Sequence, residues 1–502
     1  MMTIKNFNIK GLGWFLALGI IATSCSEDNE VAVMSPSLDA GSADFSTFVS
    51  VGNSLTAGRT DSALFIAAQE NSFPNIMAQK MALVGGGDFR QPLMADNIGG
   101  LTIGGSPIEG PRLYLNMSTM RPAVLDAMPT TDLLNSPAGP FNNMGVPGAA
   151  TFHLLAPGYG NIANLSLGAA SPYFIRMASD PNATVLGDAL AQNPSFFTLW
   201  IGNNDILGYA TQGAPDGSPF NGVNGTTYTD PAFFEFVYGN IIGAMTAGGA
   251  QGVVANIPDV LSIPFFHSIA YNPVPMDAGT AAFVNSNYDA YNNGLLYAAS
   301  VGLITAEEAA FRTISFEDSE TNAFVITDDE LTDLTGLIGL PSLRQTKPTD
   351  LVTLTTGSVL GTLADPNNPA SVLGVAVPLG DANVLTTAEQ GTINGVVTTY
   401  NGIIASAVNA AGLAFMDAHT IFNNVVAGNY TDLAVGDNQI GANLVLGGGF
   451  SLDGVHMTAR GYALIANEML KAIDAKYGSN FEASGSLVDL GDYPTNYSPL
   501  LQ

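Results

Sequence analysis

Four short apolar runs, each closed by a glycine or by polar turn residues, constrain the fold more than any other feature of this chain. Phe48–Val51 ends at Gly52, and Phe196–Ile201 ends at Gly202. Val253–Ile257 runs into Pro258, and Leu413–Met416 ends at Asp417. Runs of this length without alternation predict strands buried on both faces, as in a parallel sheet. Helical patterns lie between them. Asp230-Pro231 is an N-cap followed by a first-turn proline, and Phe233, Phe234, Phe236, Val237 and Ile241 follow, through Ile242. Thr386 and Glu389 have capping-box spacing ahead of Ile393, Val396, Val397, Tyr400 and Ile404, and Gly412 can stop that helix. A last helix starts near Thr458 and places Tyr462, Ile465, Met469 and Ile473 on one face. Strands alternating with helices predict an α/β fold with a parallel sheet.

Two stretches interrupt the pattern. Residues 85–140 are rich in Gly and Pro, and residues 270–385 mix Asn-rich, acidic and Thr/Gly segments. Both are expected to be insertions on one core within a domain spanning residues 46–478. The second contains Phe283, Tyr288, Tyr291, Leu295, Leu296 and Tyr297. These form either an apolar wall for an acyl chain or the inner face of a helix packed on the core. Residues 479–502 carry Gly and Ser without helical periodicity and are expected as a surface tail.

The N-terminus has the layout of an export signal. Lys5 and Lys10 precede an apolar run from Leu12 to Ala22, followed by Thr23-Ser24-Cys25. The run is too short to cross a bilayer comfortably, which takes about 20 residues. Residues 1–24 are therefore expected to be a signal peptide, and residues 25–45, small, polar and acidic, a flexible tether. Cys25 is the chain's single cysteine, so no internal disulfide can form. It stands where a lipobox places its lipidated cysteine, with Ala22 where Leu or Val is usual. The following Ser26-Glu27-Asp28-Asn29-Glu30 resembles the surface-export signal of Bacteroidetes lipoproteins. The resemblance implies a lipid anchor in the outer membrane of the cell envelope; the plainer reading is a secreted protein with a stray thiol.

Four segments past the strand signals can carry chemistry. In open parallel sheets the site lies beyond the carboxyl ends of the strands. The first is Ser50-Val51-Gly52-Asn53-Ser54-Leu55, where a serine just past a glycine turn stands exposed with a free N–H. The second is Asn143-Met144-Gly145-Val146-Pro147-Gly148, in which a glycine N–H can approach a ligand closely. The third, Gly202-Asn203-Asn204-Asp205, offers an amide donor. The fourth is Asp453-Gly454-Val455-His456, whose carboxylate can reach back to the imidazole and fix its tautomer. Each alone is also an ordinary cap or turn. His153, His267 and His419 have no such acidic partner pattern and are expected to be structural.

Together, and in this order, the four segments resemble the Ser, Gly, Gly-x-Asn-Asp and Asp-x-x-His blocks of the SGNH/GDSL serine hydrolases. Residues 46–58, 142–151, 197–206 and 450–465 carry the resemblance, about a tenth of the chain. It implies a flavodoxin-like three-layer α/β/α sandwich. It also implies Ser54 as nucleophile, His456 as base and Asp453 as its orienting partner. The oxyanion hole would use the N–H groups of Ser54 and Gly148 and the side chain of Asn204, with Asp205 bracing the loop. Here Gly52-Asn53-Ser54-Leu55 stands in place of Gly-Asp-Ser-Leu, and Asn can still brace the turn. The gaps, from Ser54 to Gly148 and from Asn204 to Asp453, are longer than in compact members.

The expected function is ester hydrolysis of the lipase or carboxylesterase type through an acyl-enzyme. It requires no metal or organic cofactor. The substrate would be a small acyl ester, a lipid or an acetylated glycan. The alternatives are a glycan O-acetyl esterase, an acyltransferase on the same site, or a non-catalytic envelope lipoprotein that binds lipid or glycan. Nucleic acid is excluded as a partner. The 502-residue chain carries a net charge of −29 and only 14 Lys and Arg, without a basic cluster.

Overall fold

The computed structural model describes residues 35–215, 219–220, 228–428 and 440–502. The expected signal peptide and Cys25 lie outside the described residues. From Ser37 to Gln502 the chain forms one compact unit.

The four apolar runs are strands, and a fifth joins them. In chain order they are β1 (Phe48–Gly52), β2 (Asn143–Gly145), β3 (Phe196–Trp200), β4 (Gln251–Ala255) and β5 (Ala414–Met416). All pair in parallel, in the order β5-β4-β3-β1-β2. β1 and β3 are buried throughout because both faces are covered. The polar Ser50 and Thr198 fit there by pairing their hydroxyls at 2.5 Å.

Among the helices are α1 (Ser54–Ala57), α2 (Phe73–Ala82), α3 (Val185–Leu190), α4 (Pro231–Thr246), α5 (Ala278–Ser300), α6 (Thr387–Ala411) and α7 (Ala459–Tyr477). Right-handed crossovers dictate where they go. From β1 to β2 the chain steps one way, which puts α2 on one face. From β2 through β5 it steps the other way, which puts α3, α4 and α6 on the other face. The packing follows: α2 touches α7, while α4 touches α3 and α6. The fold is thus mixed α/β, a central five-stranded parallel sheet flanked by helices.

Local chemistry explains the helix ends. Asp230 accepts from the Ala232 and Phe233 amides at the start of α4. Thr386 and Glu389 form the reciprocal capping box of α6, and Gly412 ends it in the left-handed conformation. Phe234 of α4 stacks on Tyr400 of α6 with centroids 4.0 Å apart. Thr458 caps α7, and Tyr462, Ile465, Met469 and Ile473 all face the core.

Residues 85–140 fold as two hairpins, 101–109 and 113–124. Residues 270–385 gather two apolar clusters of their own. Helix α5 buries Tyr288, Tyr291 and Leu295 in the first of these and leaves Phe283, Leu296 and Tyr297 exposed. It therefore packs its inner face within the insertion.

Both described chain ends are tied to the core, which corrects the expected tether over residues 37–45. Residues 37–45 are not a free tether. Phe45 is buried against the rings of Phe196 and Phe481, and the Ser42 N–H donates to the Tyr477 carbonyl. Residues 479–502, expected as a surface tail, are anchored to the core by Phe481 and Leu490, which are fully buried. Apolar side chains at wide spacing anchor both segments, a pattern with no period to detect. The final segment is also held by Arg112 of the first insertion, which is completely buried. Its guanidinium donates to the carbonyls of Asn97, Leu113, Tyr497, Ser498 and Leu501 and lies over the Phe65 ring.

Replacing Arg112 by Ala removes the donors for these buried carbonyls. Arg112→Ala is expected to lose about 2–4 kcal/mol of stability in urea denaturation. An unchanged midpoint would show that the C-terminal segment is not held this way.

Candidate active site

The site forms at the carboxyl edge of the sheet, where each strand hands the chain to a turn. The turn after β1 demands glycine at position 52. A Cβ there would lie 2.4 Å from the Trp200 carbonyl oxygen and 2.1 Å from the Thr56 hydroxyl. Asn53 caps α1, its Oδ1 accepting from the Leu55 N–H at 3.0 Å. Ser54 is thus the first residue of the helix and not its cap, and its hydroxyl is free for another partner.

That partner is His456. Its Nε2 lies 3.0 Å from the Ser54 Oγ, and its Nδ1 lies 2.8 Å from Asp453 Oδ2. The three residues expected to act together are brought together, across 402 residues of chain between Ser54 and His456. With Nδ1 donating to the carboxylate, Nε2 is left as the acceptor facing the serine.

Asp453 is held from several directions. Oδ1 accepts from the Val455 and His456 amides at 2.9 Å each and from the Ser451 hydroxyl at 3.0 Å. Oδ2 also accepts from the Ser62 N–H at 2.8 Å. Burial by itself would push this carboxyl up. The charge of His456 and the hydrogen bonds from His456 and Val455 outweigh it and hold the group well below the usual carboxylate range. Asp453 is therefore an anion at any pH near neutral, as a partner for an imidazolium must be.

The loops after β2 and β3 are tied together beside the serine. Asn204 Nδ2 donates to the Ala149 carbonyl at 2.9 Å. Asp205 Oδ2 accepts from the Thr151 N–H, and its Oδ1 accepts from the hydroxyls of Thr151 and Thr229. Burial raises this carboxyl to about 6 in spite of those donors. Asp205 thus braces the loop that carries Gly148.

Gly148 is exposed, with φ +80°, and among the described residues its N–H has no hydrogen-bond partner. Gly145 is committed elsewhere. Its N–H donates to Asn143 Oδ1, and a Cβ there would lie 2.3 Å from the Ala57 nitrogen. Of the two glycines, Gly148 is the one able to donate to a ligand.

A narrow cleft opens over Ser54 and His456. Its cavity volume is about 30 Å³, and its walls include Leu207, Pro258, Val260, Ile263 and Phe422, with Asn204 at one side. Gly148 does not line it. A cavity of about 680 Å³ lies elsewhere, against Thr47 before β1 and Gln192 before β3. Volume alone would favour that cavity, but it contains neither the serine nor the histidine. Ser54 and His456 both line the narrow cleft.

The other histidines are placed structurally. His153 Nδ1 accepts from the Ala150 N–H, its ring stacks on Tyr159, and burial lowers it to about 4. His267 Nε2 pairs with the Leu261 carbonyl, and the His419 N–H donates to Asn256. Among the described residues no cluster of His, Cys, Asp and Glu could hold a metal ion.

What sequence reasoning missed is the loop Arg59–Ser62 behind Asp453. Asp61 and Ser62 have φ of +50° and +65°. Asp and Ser are ordinary turn residues, so the pair marks a turn without showing that it faces Asp453, and no glycine marks its left-handed backbone. The chain matches no known family, no curated protein and no solved structure.

The depressed Asp453 sets a pH dependence with a definite sign. A folded-state value below the unfolded one adds stability that is present above about pH 4, the unfolded carboxylate value, and is lost as pH falls. The stability gap between the wild type and Asp453→Asn should therefore shrink as pH drops below about 4. Urea midpoints measured down the pH scale check this, and a gap that stays constant contradicts it.

Proposed function

We propose that the protein is a serine ester hydrolase of the SGNH/GDSL type. The observation that carries this reading is the unbroken line from Asp453 through His456 to Ser54, at 2.8 and 3.0 Å. It lies at the end of the sheet where the four motif segments converge. The strand order 2-1-3-4-5 is also that of the flavodoxin-like doubly wound fold implied by the resemblance.

Ser54 Oγ attacks the ester carbonyl carbon while His456 Nε2 takes its proton. The negative oxygen that results accepts hydrogen bonds from the Ser54 N–H, the Gly148 N–H and Asn204 Nδ2. Collapse of this intermediate breaks the ester bond, and His456 returns the proton to the departing alcohol. Water, deprotonated by His456, then attacks the acyl-serine and releases the acid. Nucleophile, base and oxyanion donors all come from the chain itself.

The cleft favours short acyl groups. A cavity of about 30 Å³ is on the scale of one or two water molecules. An acetyl or similarly short acyl group fits against Leu207, Val260 and Ile263, and the alcohol part stays outside. Esters of a bulky alcohol, an acetylated glycan among them, meet that requirement. A binding protein has no need of an aligned base and nucleophile, so the alignment favours catalysis over ligand capture.

For location we propose an envelope lipoprotein anchored through Cys25. The reading rests on the basic, apolar and small-residue layout of the N-terminus. Among the described residues no helix is long and apolar enough to cross a membrane.

Hydrolysis of nitrophenyl esters from acetyl to palmitoyl tests the proposal. The expected profile peaks at the short end, and Ser54→Ala abolishes it. Asn204→Ala should lower kcat by about 100- to 1000-fold. A folded wild type that cleaves no ester in the series removes the reading, and a palmitoyl optimum removes the short-acyl part of it.

A further inference from the structure

A second carboxyl lies behind the triad. Asp61 is almost wholly buried, and its contacts lead to the catalytic loop. Its N–H donates to the Ser451 hydroxyl at 3.0 Å, and that hydroxyl donates onward to Asp453 Oδ1. Its Oδ1 accepts from the Leu452 N–H at 3.1 Å, next to Asp453 in sequence. The next residue, Ser62, donates its N–H directly to Asp453 Oδ2. The left-handed backbone at positions 61 and 62 aims these groups at one carboxylate. Asp61 Oδ2 is buried without a hydrogen-bond partner.

We propose that Asp61 is a positioning residue for the hydrolase: it holds Asp453 from behind, and its ionisation puts a second negative charge beside that carboxylate, so that the reactivity of Ser54 follows this ionisation as well. The inference rests on the ester hydrolase reading above.

The surroundings make that ionisation available near neutral pH. Burial, with no donor on Oδ2, pushes the Asp61 carboxyl up to about 7; the Leu452 N–H opposes the rise, the charge of Asp453 adds to it, and the Arg112 guanidinium opposes it. Tyr497 of the C-terminal segment also senses the Asp61 charge, and Arg59 and Tyr462 face Asp453 from the adjacent loop and from α7. Below the ionisation Asp61 is a neutral acid and Asp453 the single anion beside the imidazole. Above it, two negative charges share a poorly solvated pocket behind the imidazole. The reactivity of Ser54 then depends on the Asp61 ionisation as well, and its pH dependence extends over a wider range than one ionisation alone gives.

The test is the pH dependence of Ser54 phosphorylation by diethyl p-nitrophenyl phosphate, read as the adduct mass on the full chain. The wild-type acid limb should be broader than a one-proton curve. Asp61→Asn keeps an acceptor for the Leu452 N–H and suits the left-handed backbone. It should give a one-proton curve. Asp61→Ala, as a control, should slow labelling at every pH and likewise give the one-proton shape. Superimposable wild-type and Asp61→Asn profiles overturn the inference, because a merely structural residue changes the rate without changing the shape. If Asp61→Asn does not fold, the wild-type limb decides alone: a one-proton slope overturns the inference. Absence of any Ser54 adduct on the folded wild type overturns the hydrolase reading itself, and the inference with it.

Discussion

The close approach of β1 to β3 at their carboxyl ends sets the frame on which the site depends. Gly52 is in register with Trp200, and no side chain fits between them. That contact places Ser54 two residues beyond one strand and Asn204 four residues beyond the other. Trp200 extends the constraint sideways. Its indole N–H donates to the Asn256 carbonyl past β4, and its ring meets Phe73 and Phe422 edge-on. The turns that carry the nucleophile and the amide donor are thus fixed by sheet packing, with little dependence on the loops' own preferences.

His456 arrives from the far end of the chain, and a different part of the structure positions it. The Asp453–His456 loop leads directly into α7, whose inner face is buried against α2 and the sheet. The Tyr462 hydroxyl donates to the Arg59 carbonyl at 2.5 Å, joining α7 to the loop that clamps Asp453. The last segment of the chain then closes over this region through Arg112. The first insertion and the C-terminal segment are therefore part of the scaffold behind Asp453 and His456.

How much of this the sequence discloses depends on whether the information is periodic or local. The apolar strand runs and the Thr386 capping box are dense signals, and the elements lie where those signals place them. Ser54, Asp453 and His456 stand out because their residue types and spacing are rare in combination. β2 has only three residues, too few for any pattern, although Gly148 just beyond it is conspicuous. Phe45, Phe481 and Leu490 are single anchors in polar stretches, so no periodic pattern marks how either chain end is held. Asp61 is the extreme case. Its significance comes from Ser451 and Leu452, about 390 residues away, and from two left-handed residues without a glycine.

The two carboxyls behind His456 show how environment assigns roles to like groups. Both are buried, so desolvation opposes charge on each. Asp453 has amide and hydroxyl donors on both oxygens and a histidine in front, which is enough to reverse the penalty. Asp61 has one amide on one oxygen and nothing on the other, and the adjacent Asp453 anion makes its own ionisation harder. An active site that needed only a rigid bracket at this position could use asparagine, which tolerates left-handed backbone and carries no charge to desolvate. Asp61 instead places an ionisable group beside Asp453, so what it adds to the bracket is a charge that each carboxylate feels from the other.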